Sequence, residues 1–179
     1  HIETIQADGL KLVHEYDTVG NKVRSIDPDL GEWNYRYNGF GEIIWQRDAK
    51  GQVTTIAYDL LGRPLRRHMP DKLDEFAYDT SAFGIGKPAM VSNSEGFEET
   101  YTYDRFGRLE RKATRIHNEL YSTYVEYDEF DRVAQANHPG NFTVTNEYDP
   151  QGFLARVLAN DPLGAISSMP KEYWLAEER

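Results

Sequence analysis

The feature that most constrains this chain is a repeat. Tyr16-Asp17-Thr18-Val19-Gly20 returns as Tyr37-Asn38-Gly39-Phe40-Gly41 and Tyr58-Asp59-Leu60-Leu61-Gly62 at intervals of 21 residues, and Tyr78-Asp79 follows 20 residues on. Tyr103-Asp104-Arg105-Phe106-Gly107, Tyr127-Asp128-Glu129-Phe130-Asp131 and Tyr148-Asp149-Pro150-Gln151-Gly152 continue the series at intervals of 25, 24 and 21. A period of this length means that one small supersecondary unit is stacked along the chain, each copy burying its apolar surface mainly against its neighbours.

A second set of turn formers lies between the Tyr-Asp sites. Asp8-Gly9, Asp27-Pro28-Asp29-Leu30-Gly31, Asp48-Ala49-Lys50-Gly51, Met69-Pro70-Asp71, Asn93-Ser94-Glu95-Gly96, His117-Asn118-Glu119, His138-Pro139-Gly140-Asn141 and Asp161-Pro162-Leu163-Gly164 each read as a reverse turn. Two turns per period imply two strands per period. The segments between turns alternate as half-buried strands do. Trp33, Tyr35 and Tyr37 share one face, as do Leu10, Leu12, His14 and Tyr16, or Phe142, Val144, Asn146 and Tyr148. On the return strands Ile43 with Trp45, Leu65 with Arg67 and Met69, and Leu109 with Arg111 and Ala113 share a parity. Arg66, Arg67, Arg111 and Arg156 read as cross-strand partners for Asp and Glu, with stems lying over aromatic rings.

The expected fold is therefore all-β: consecutive β-hairpins forming one long antiparallel sheet over residues 1–165, with a tail at 166–179. Seven periods give about fourteen strands of five to seven residues and a width of roughly 65 Å, at which an open sheet curls. The stretch Thr80–Pro88 lengthens the fourth turn into a loop, and Pro170 followed by good helix formers predicts a short terminal helix or a frayed tail. The first and last strands leave open edges, where the isolated segment is able to self-associate. The chain begins at His1, and the open edges add to the expectation that it is a piece of a longer array.

Composition narrows function. With 20 Lys and Arg against 30 Asp and Glu, the net charge is -10. No basic run exists to meet nucleic-acid phosphates, so nucleic acid is not an expected partner. The absence of cysteine excludes disulfides and thiolate metal sites. No apolar run is long enough to span a bilayer, and HIETIQADG is no signal peptide.

Tyr103-Asp104-Arg105-Phe106-Gly107-Arg108-Leu109 carries every defined position of Tyr-Asp-x-x-Gly-Arg-Leu. Tyr58 to Leu65 matches with one change, and Tyr127 to Val133 replaces the glycine by Asp131. In motif and period the chain resembles the RHS/YD-repeat proteins over about residues 8–165. That resemblance implies β-hairpins wound into a hollow shell. In bacterial polymorphic toxins and insecticidal Tc toxin complexes such a shell encloses a cytotoxic carboxy-terminal domain, and in teneurins a similar shell belongs to a cell-surface adhesion protein. It further implies a secreted or cell-surface bacterial parent. The partners it implies are the rest of the shell, its toxin cargo and other toxin-complex subunits. Asp161-Pro162-Leu163-Gly164-Ala165 is similar to the self-cleavage motif that ends such shells, but Ala165 stands where Leu is expected and no downstream Asp follows. It reads as one more turn.

Other constellations read as structure. The repeated Tyr and Asp residues, namely Tyr16, Asp17, Tyr37, Tyr58, Asp59, Tyr78, Asp79, Tyr103, Asp104, Tyr127, Asp128, Tyr148 and Asp149, are assigned to packing and turn capping. Gly20, Gly41, Gly62, Gly107 and Gly152 are assigned to the turns themselves. Asp27-x-Asp29-x-Gly31-Glu32 lacks the distal ligands of a calcium loop. Gly84-Ile85-Gly86-Lys87 lacks the leading Gly and trailing Ser/Thr of a phosphate loop. His14, His68, His117 and His138 are too dispersed for a zinc site, and adjacent Glu98 and Glu99 point to opposite faces. No catalytic residue, cofactor or metal is expected. The leading reading is a non-enzymatic shell segment that encloses a toxic effector. The alternative is a surface module binding carbohydrate or protein through exposed Trp33, Trp45 and tyrosines.

Overall fold

A computed structural model describes residues 2–5, 11–160 and 171–173. By contact the chain divides into two units, the first comprising His1–Phe76 with Asn93–Glu95 and the second Ala77–Ser92 with Gly96–Arg179.

In the first unit β1 (Ile2–Ile5), β2 (Lys11–Tyr16), β3 (Lys22–Asp27), β4 (Gly31–Tyr37), β5 (Ile43–Arg47), β6 (Val53–Tyr58), β7 (Pro64–His68) and β8 (Leu73–Tyr78) follow one another in chain order. Each strand pairs antiparallel with the next. In the second unit β9 (Pro88–Asn93), β10 (Glu98–Tyr103), β11 (Leu109–Ile116), β12 (Glu119–Tyr127), β13 (Val133–His138), β14 (Phe142–Tyr148), β15 (Leu154–Asn160) and β16 (Lys171–Tyr173) do the same. The single helical element among the described residues is the 3-10 turn Pro139–Asn141. The fold is thus all-β and hairpin-built, as the repeat requires.

Three details depart from the sequence reading. The described strands number sixteen rather than about fourteen, and β11 and β12 reach 8 and 9 residues because a two-residue turn at His117-Asn118 lets that hairpin run on. Lys171–Tyr173 is a strand paired with β15 and not the start of a helix. Pairing there satisfies backbone groups that the edge of β15 would otherwise leave open; residues 161–170 and 174–179 lie outside the described residues, Asp161-Pro162 among them.

The third departure is a register shift. Glu15 pairs with Arg24 but Tyr16 with Lys22, which leaves Val23 as an extra residue on the return strand. The same bulge recurs at Arg36/Tyr37, Ala57/Tyr58, Thr102/Tyr103, Glu126/Tyr127 and Glu147/Tyr148. One inserted residue exchanges faces beyond it. Ile43 therefore pairs with Tyr37, whereas Trp45 pairs with Arg36 and lies under its guanidinium, 4.6 Å from the ring centre. The parity expected for Ile43 with Trp45, Leu65 with Arg67, and Leu109 with Arg111 is broken at the bulge. The approach strands keep theirs, and Trp33 stacks on Tyr35 at 6.4 Å.

Little of either unit is deeply buried. Among the described residues Ala89, Tyr103 and Ala113 are the buried apolar ones, with Ser25 and Asp74 as buried polar ones. With so few buried side chains among the described residues, cohesion comes from strand pairing, from contacts along each face and from the turns.

Candidate functional site

The site that the sequence singles out is the Tyr-Asp turn. The Asp works locally. Asp104 Oδ1 accepts from the Phe106 and Arg108 N–H groups, each at 2.9 Å, while the Asp104 N–H donates to the Arg108 carbonyl at 2.9 Å and the Gly107 N–H to the Asp104 carbonyl at 2.8 Å. Asp17, Asp59, Asp128 and Asp149 accept in the same two places. Asn38 does so through its amide oxygen, to Phe40 and Glu42. Asp79, in the lengthened loop, accepts from Gly86 and has φ 66°.

The residue five places after the tyrosine completes the lock. The Nε groups of Arg63, Arg108 and Arg132 each reach the second carboxylate oxygen of Asp59, Asp104 and Asp128 at 2.7 Å. Asn21 supplies that donor to Asp17 at 3.0 Å. In the second copy the pair is exchanged, since Asn38 Nδ2 donates to Glu42 at 2.5 Å. These bonds set the carboxyl groups. Asp59 is held below the ordinary carboxylate range by the Arg63 N–H, against burial, and then by the guanidinium. At Asp104 and Asp128 burial alone would raise the value, but the Arg and turn N–H bonds outweigh it and both end up lowered.

The tyrosine works between repeats. Tyr37 Oη donates to the Lys22 carbonyl at 2.8 Å and Tyr58 Oη to that of Ile43 at 2.9 Å. In the second unit Tyr103 reaches Pro88 at 2.8 Å, Tyr127 reaches Leu109 at 3.0 Å and Tyr148 reaches Val133 at 2.9 Å. Apart from Pro88, which follows the lengthened loop, each acceptor is the residue that pairs with the preceding repeat's Tyr across its bulge. Each hydroxyl therefore pins one hairpin to the one before it. Burial raises the Tyr37, Tyr58, Tyr103 and Tyr127 hydroxyl pKa values above the ordinary one.

A second inter-repeat contact uses the same post-glycine residue. Arg108 lies 4.3 Å from the Tyr127 ring centre and Arg132 4.1 Å from that of Tyr148, while the Lys87 ammonium lies 5.0 Å from that of Tyr103. Side chains at this position also reach the next turn's glycine position. Lys87 Nζ donates to the Gly107 carbonyl, and a Cβ on Gly152 would meet Arg132 at 3.4 Å and one on Gly62 would meet Glu42 Oε1 at 2.6 Å. Where Asp131 replaces glycine it keeps the left-handed φ of 65° and its carboxylate pairs with Arg108. The tolerance is physical: Asp is one of the few non-glycine residues at ease in that region, and the preceding repeat provides its counter-ion.

Other sequence candidates fall into structural roles. Asp27 Oδ1 caps its own turn, accepting from Asp29 and Leu30. Glu98 and Glu99 pair on opposite faces with Arg115 and Thr114, and Glu99 is fully occupied by Tyr101, Lys112 and Thr114. Arg66, Arg67 and Arg156 meet Glu75, Asp74 and Glu147 as expected, whereas Arg111 meets Ser122 and the Tyr124 ring. Trp33 and Trp45 are half-buried and engaged, Trp33 Nε1 donating to the Leu30 carbonyl. The concavities are open, one of about 770 Å³ along β11–β14 beside Tyr124, one of about 470 Å³ beside Val53 and His68 and one of about 290 Å³ beside Trp33. Among the described residues no three His, Asp or Glu side chains converge as a metal site, and no helix is long and apolar enough to cross a membrane.

Sequence reasoning expected the Asp to accept turn N–H bonds and placed the Tyr only within its own hairpin. It also missed the post-glycine residue as a joint between repeats. The signal for it was present in the Gly-Arg step of the motif.

Consecutive hairpins joined in this way have the fold of an RHS/YD-repeat array, with the Tyr-Asp turn as the fastening between repeats. The crystal structures of TcdB2-TccC3-Cdc42 and of TcdB2-TccC3 without its hypervariable C-terminal region match over 93% and 92% of this chain with TM-scores of 0.71 and 0.72, at 13% identity. Double-stranded DNA deaminase toxin A of Burkholderia cenocepacia (strain H111) is 32% identical in a 171-residue alignment covering 83% of this chain. The chain spans only 11% of that protein and 9% of the two toxin structures. No family model matches it.

Proposed function

We propose that this chain is a non-enzymatic wall segment of an RHS-repeat shell that encloses a toxic carboxy-terminal effector in its parent protein. The observation that carries the reading is the inter-repeat fastening: the hydroxyls of Tyr37, Tyr58, Tyr103, Tyr127 and Tyr148 each donate to a backbone carbonyl of the preceding repeat. Such bonds hold a sheet together and occupy these hydroxyls. The likeness to toxin structures and the relative named as a deaminase toxin support a toxin parent. A zinc deaminase site uses cysteine ligands, which this chain does not have. The parent is expected to be secreted or displayed at a bacterial surface. Its partners are the remaining shell, the cargo and other toxin-complex subunits. The half-buried, engaged tryptophans give the carbohydrate-binding alternative no specific support.

The reading is tested in the parent protein by replacing Tyr103, Tyr127 and Tyr148 together with Ala. The expected result is a cargo open to added protease and toxic to the producing cell. A cargo that remains protected after the whole segment is deleted overturns the reading. Deamination of double-stranded DNA by the purified chain alone would overturn the non-enzymatic assignment.

A further inference from the structure

The second Tyr-Asp turn carries a side-chain amide followed by glycine, which no other Tyr-Asp turn has. Asn38 stands where the other six copies have Asp, and no other asparagine in the chain precedes a glycine. Glycine has no Cβ to shield its nitrogen or restrict its approach. In an Asn-Gly pair that nitrogen is able to attack the preceding side-chain amide. A bond forms between Gly39 N and Asn38 Cγ, the Cγ–Nδ2 bond breaks, and ammonia departs with the proton released from the Gly39 nitrogen. Water then opens the resulting succinimide at one carbonyl to give Asp, or at the other to give isoaspartate with the main chain rerouted through Cβ. One amide nitrogen is exchanged for one oxygen, and nothing is oxidised.

The folded turn holds that amide at both ends. Asn38 Oδ1 accepts from Phe40 at 3.0 Å and Glu42 at 3.1 Å, and Nδ2 donates to the Glu42 carboxylate at 2.5 Å. Swinging Cγ onto Gly39 N disrupts this grip. Glu42 occupies the place of Arg63, Arg108 and Arg132 in other copies, so conversion of Asn38 sets two carboxylates against each other where an amide and a carboxylate were bonded. Glu42 also lies against Gly62 of the next turn, which extends the disturbance to the following repeat.

We propose that Asn38 is a site of spontaneous deamidation, clamped by Glu42 in the folded hairpin, and that its conversion irreversibly loosens the β4–β5 hairpin. The protein is incubated at mildly alkaline pH, both native and in urea, and residue 38 is followed by peptide mass mapping with enzymatic labelling of isoaspartate. In urea Asn38 is expected to convert ahead of every other asparagine. The native chain is expected to convert more slowly by roughly tenfold or more, the factor that a hydrogen bond to a charged group is worth. Glu42→Ala, its fold checked by circular dichroism, should recover most of the unfolded rate, and Glu42→Gln, which keeps a neutral acceptor, should fall between. Hydrogen exchange across β4 and β5 should quicken in the converted protein. Asn38 lagging other asparagines in urea overturns the site. Equal native and unfolded rates, or a Glu42→Gln rate no higher than the parent's, overturn the clamp, and unchanged exchange overturns the loosening.

Discussion

The Tyr-Asp turns and the turns between them use the same residue types and behave differently. Six Tyr-Asp turns place an Asp or Asn acceptor on the same two N–H groups, and the six strand pairs that these turns join carry a bulge at the same place. The intervening turns vary. Asp48 caps as a Tyr-Asp turn does, Asp27 caps a shorter step, His117-Asn118 is a two-residue turn with both φ values positive, and Pro139–Asn141 is a 3-10 turn. Strand pairs joined by these intervening turns run without a register shift. Contacts between intervening turns exist, such as Gly31 against Ala49, but follow no period. A turn that meets only its own hairpin is free to be any turn that closes it, whereas one that must also receive the preceding repeat's side chain has to keep a single shape.

The largest test of that difference is a pair of glycine substitutions. Gly107→Ala strains a φ of 75° and brings a Cβ within 2.9 Å of Lys87 and 3.3 Å of the Phe83 carbonyl, while Gly51→Ala strains a φ of 80° with nothing within 4 Å. Urea unfolding should show a loss of about 3 kcal/mol for the first and about 1 kcal/mol for the second. Equal losses would mean that the inter-repeat contact contributes nothing.

The exchanged pair gives the next effect. Asn38→Asp restores the common motif residue, yet should destabilise the chain because it faces Glu42. Adding Glu42→Arg should recover the loss, with a coupling of about 1–2 kcal/mol in a double-mutant cycle.

Next come the tyrosines. Tyr103→Phe should cost about 1 kcal/mol, whereas Tyr124→Phe, which pins no repeat, should change stability by less than about 0.5 kcal/mol. The raised hydroxyl pKa values make this pH-dependent. A group whose folded pKa lies above its unfolded value near 10 contributes fully below that pH and loses its contribution as pH rises through the folded value. Stability should therefore fall in strong alkali, and less steeply in Tyr103→Phe. The lowered Asp59, Asp104 and Asp128 act with opposite sign, their contribution being present above about pH 4 and lost as acid titrates the folded carboxylates. Acid unfolding of Asp104→Asn against the parent would show it.

The smallest effect is expected in an intervening turn. Replacing His117-Asn118 with Asn-Gly suits two positive φ values and should leave stability within about 0.5 kcal/mol of the parent or slightly above it.

Much of this architecture was legible in the sequence, for reasons specific to each part. Strand positions followed from alternation between turn formers, and the Asp role from the habit of that side chain of bonding to backbone two to four residues away. The lengthened loop at Thr80–Pro88 followed from a broken period. The bulges were not legible, because an extra residue beside each Tyr looks like uninterrupted alternation until the partner strand is known. Trp45 was accordingly grouped with Ile43, from which the bulge separates it. The use of Arg132 was missed, since its partners, the Tyr148 ring and the Gly152 position, belong to the next repeat.

By itself the sequence determined what is local: hairpins, turn sites, an Asp-capped corner and the absence of a thiol chemistry. Tertiary structure alone decided what joins one hairpin to the next. The Tyr127 hydroxyl meets a carbonyl 18 residues back and Arg108 meets Asp131 23 residues ahead, and such partners are fixed only when pairing register and bulge bring separate repeats side by side.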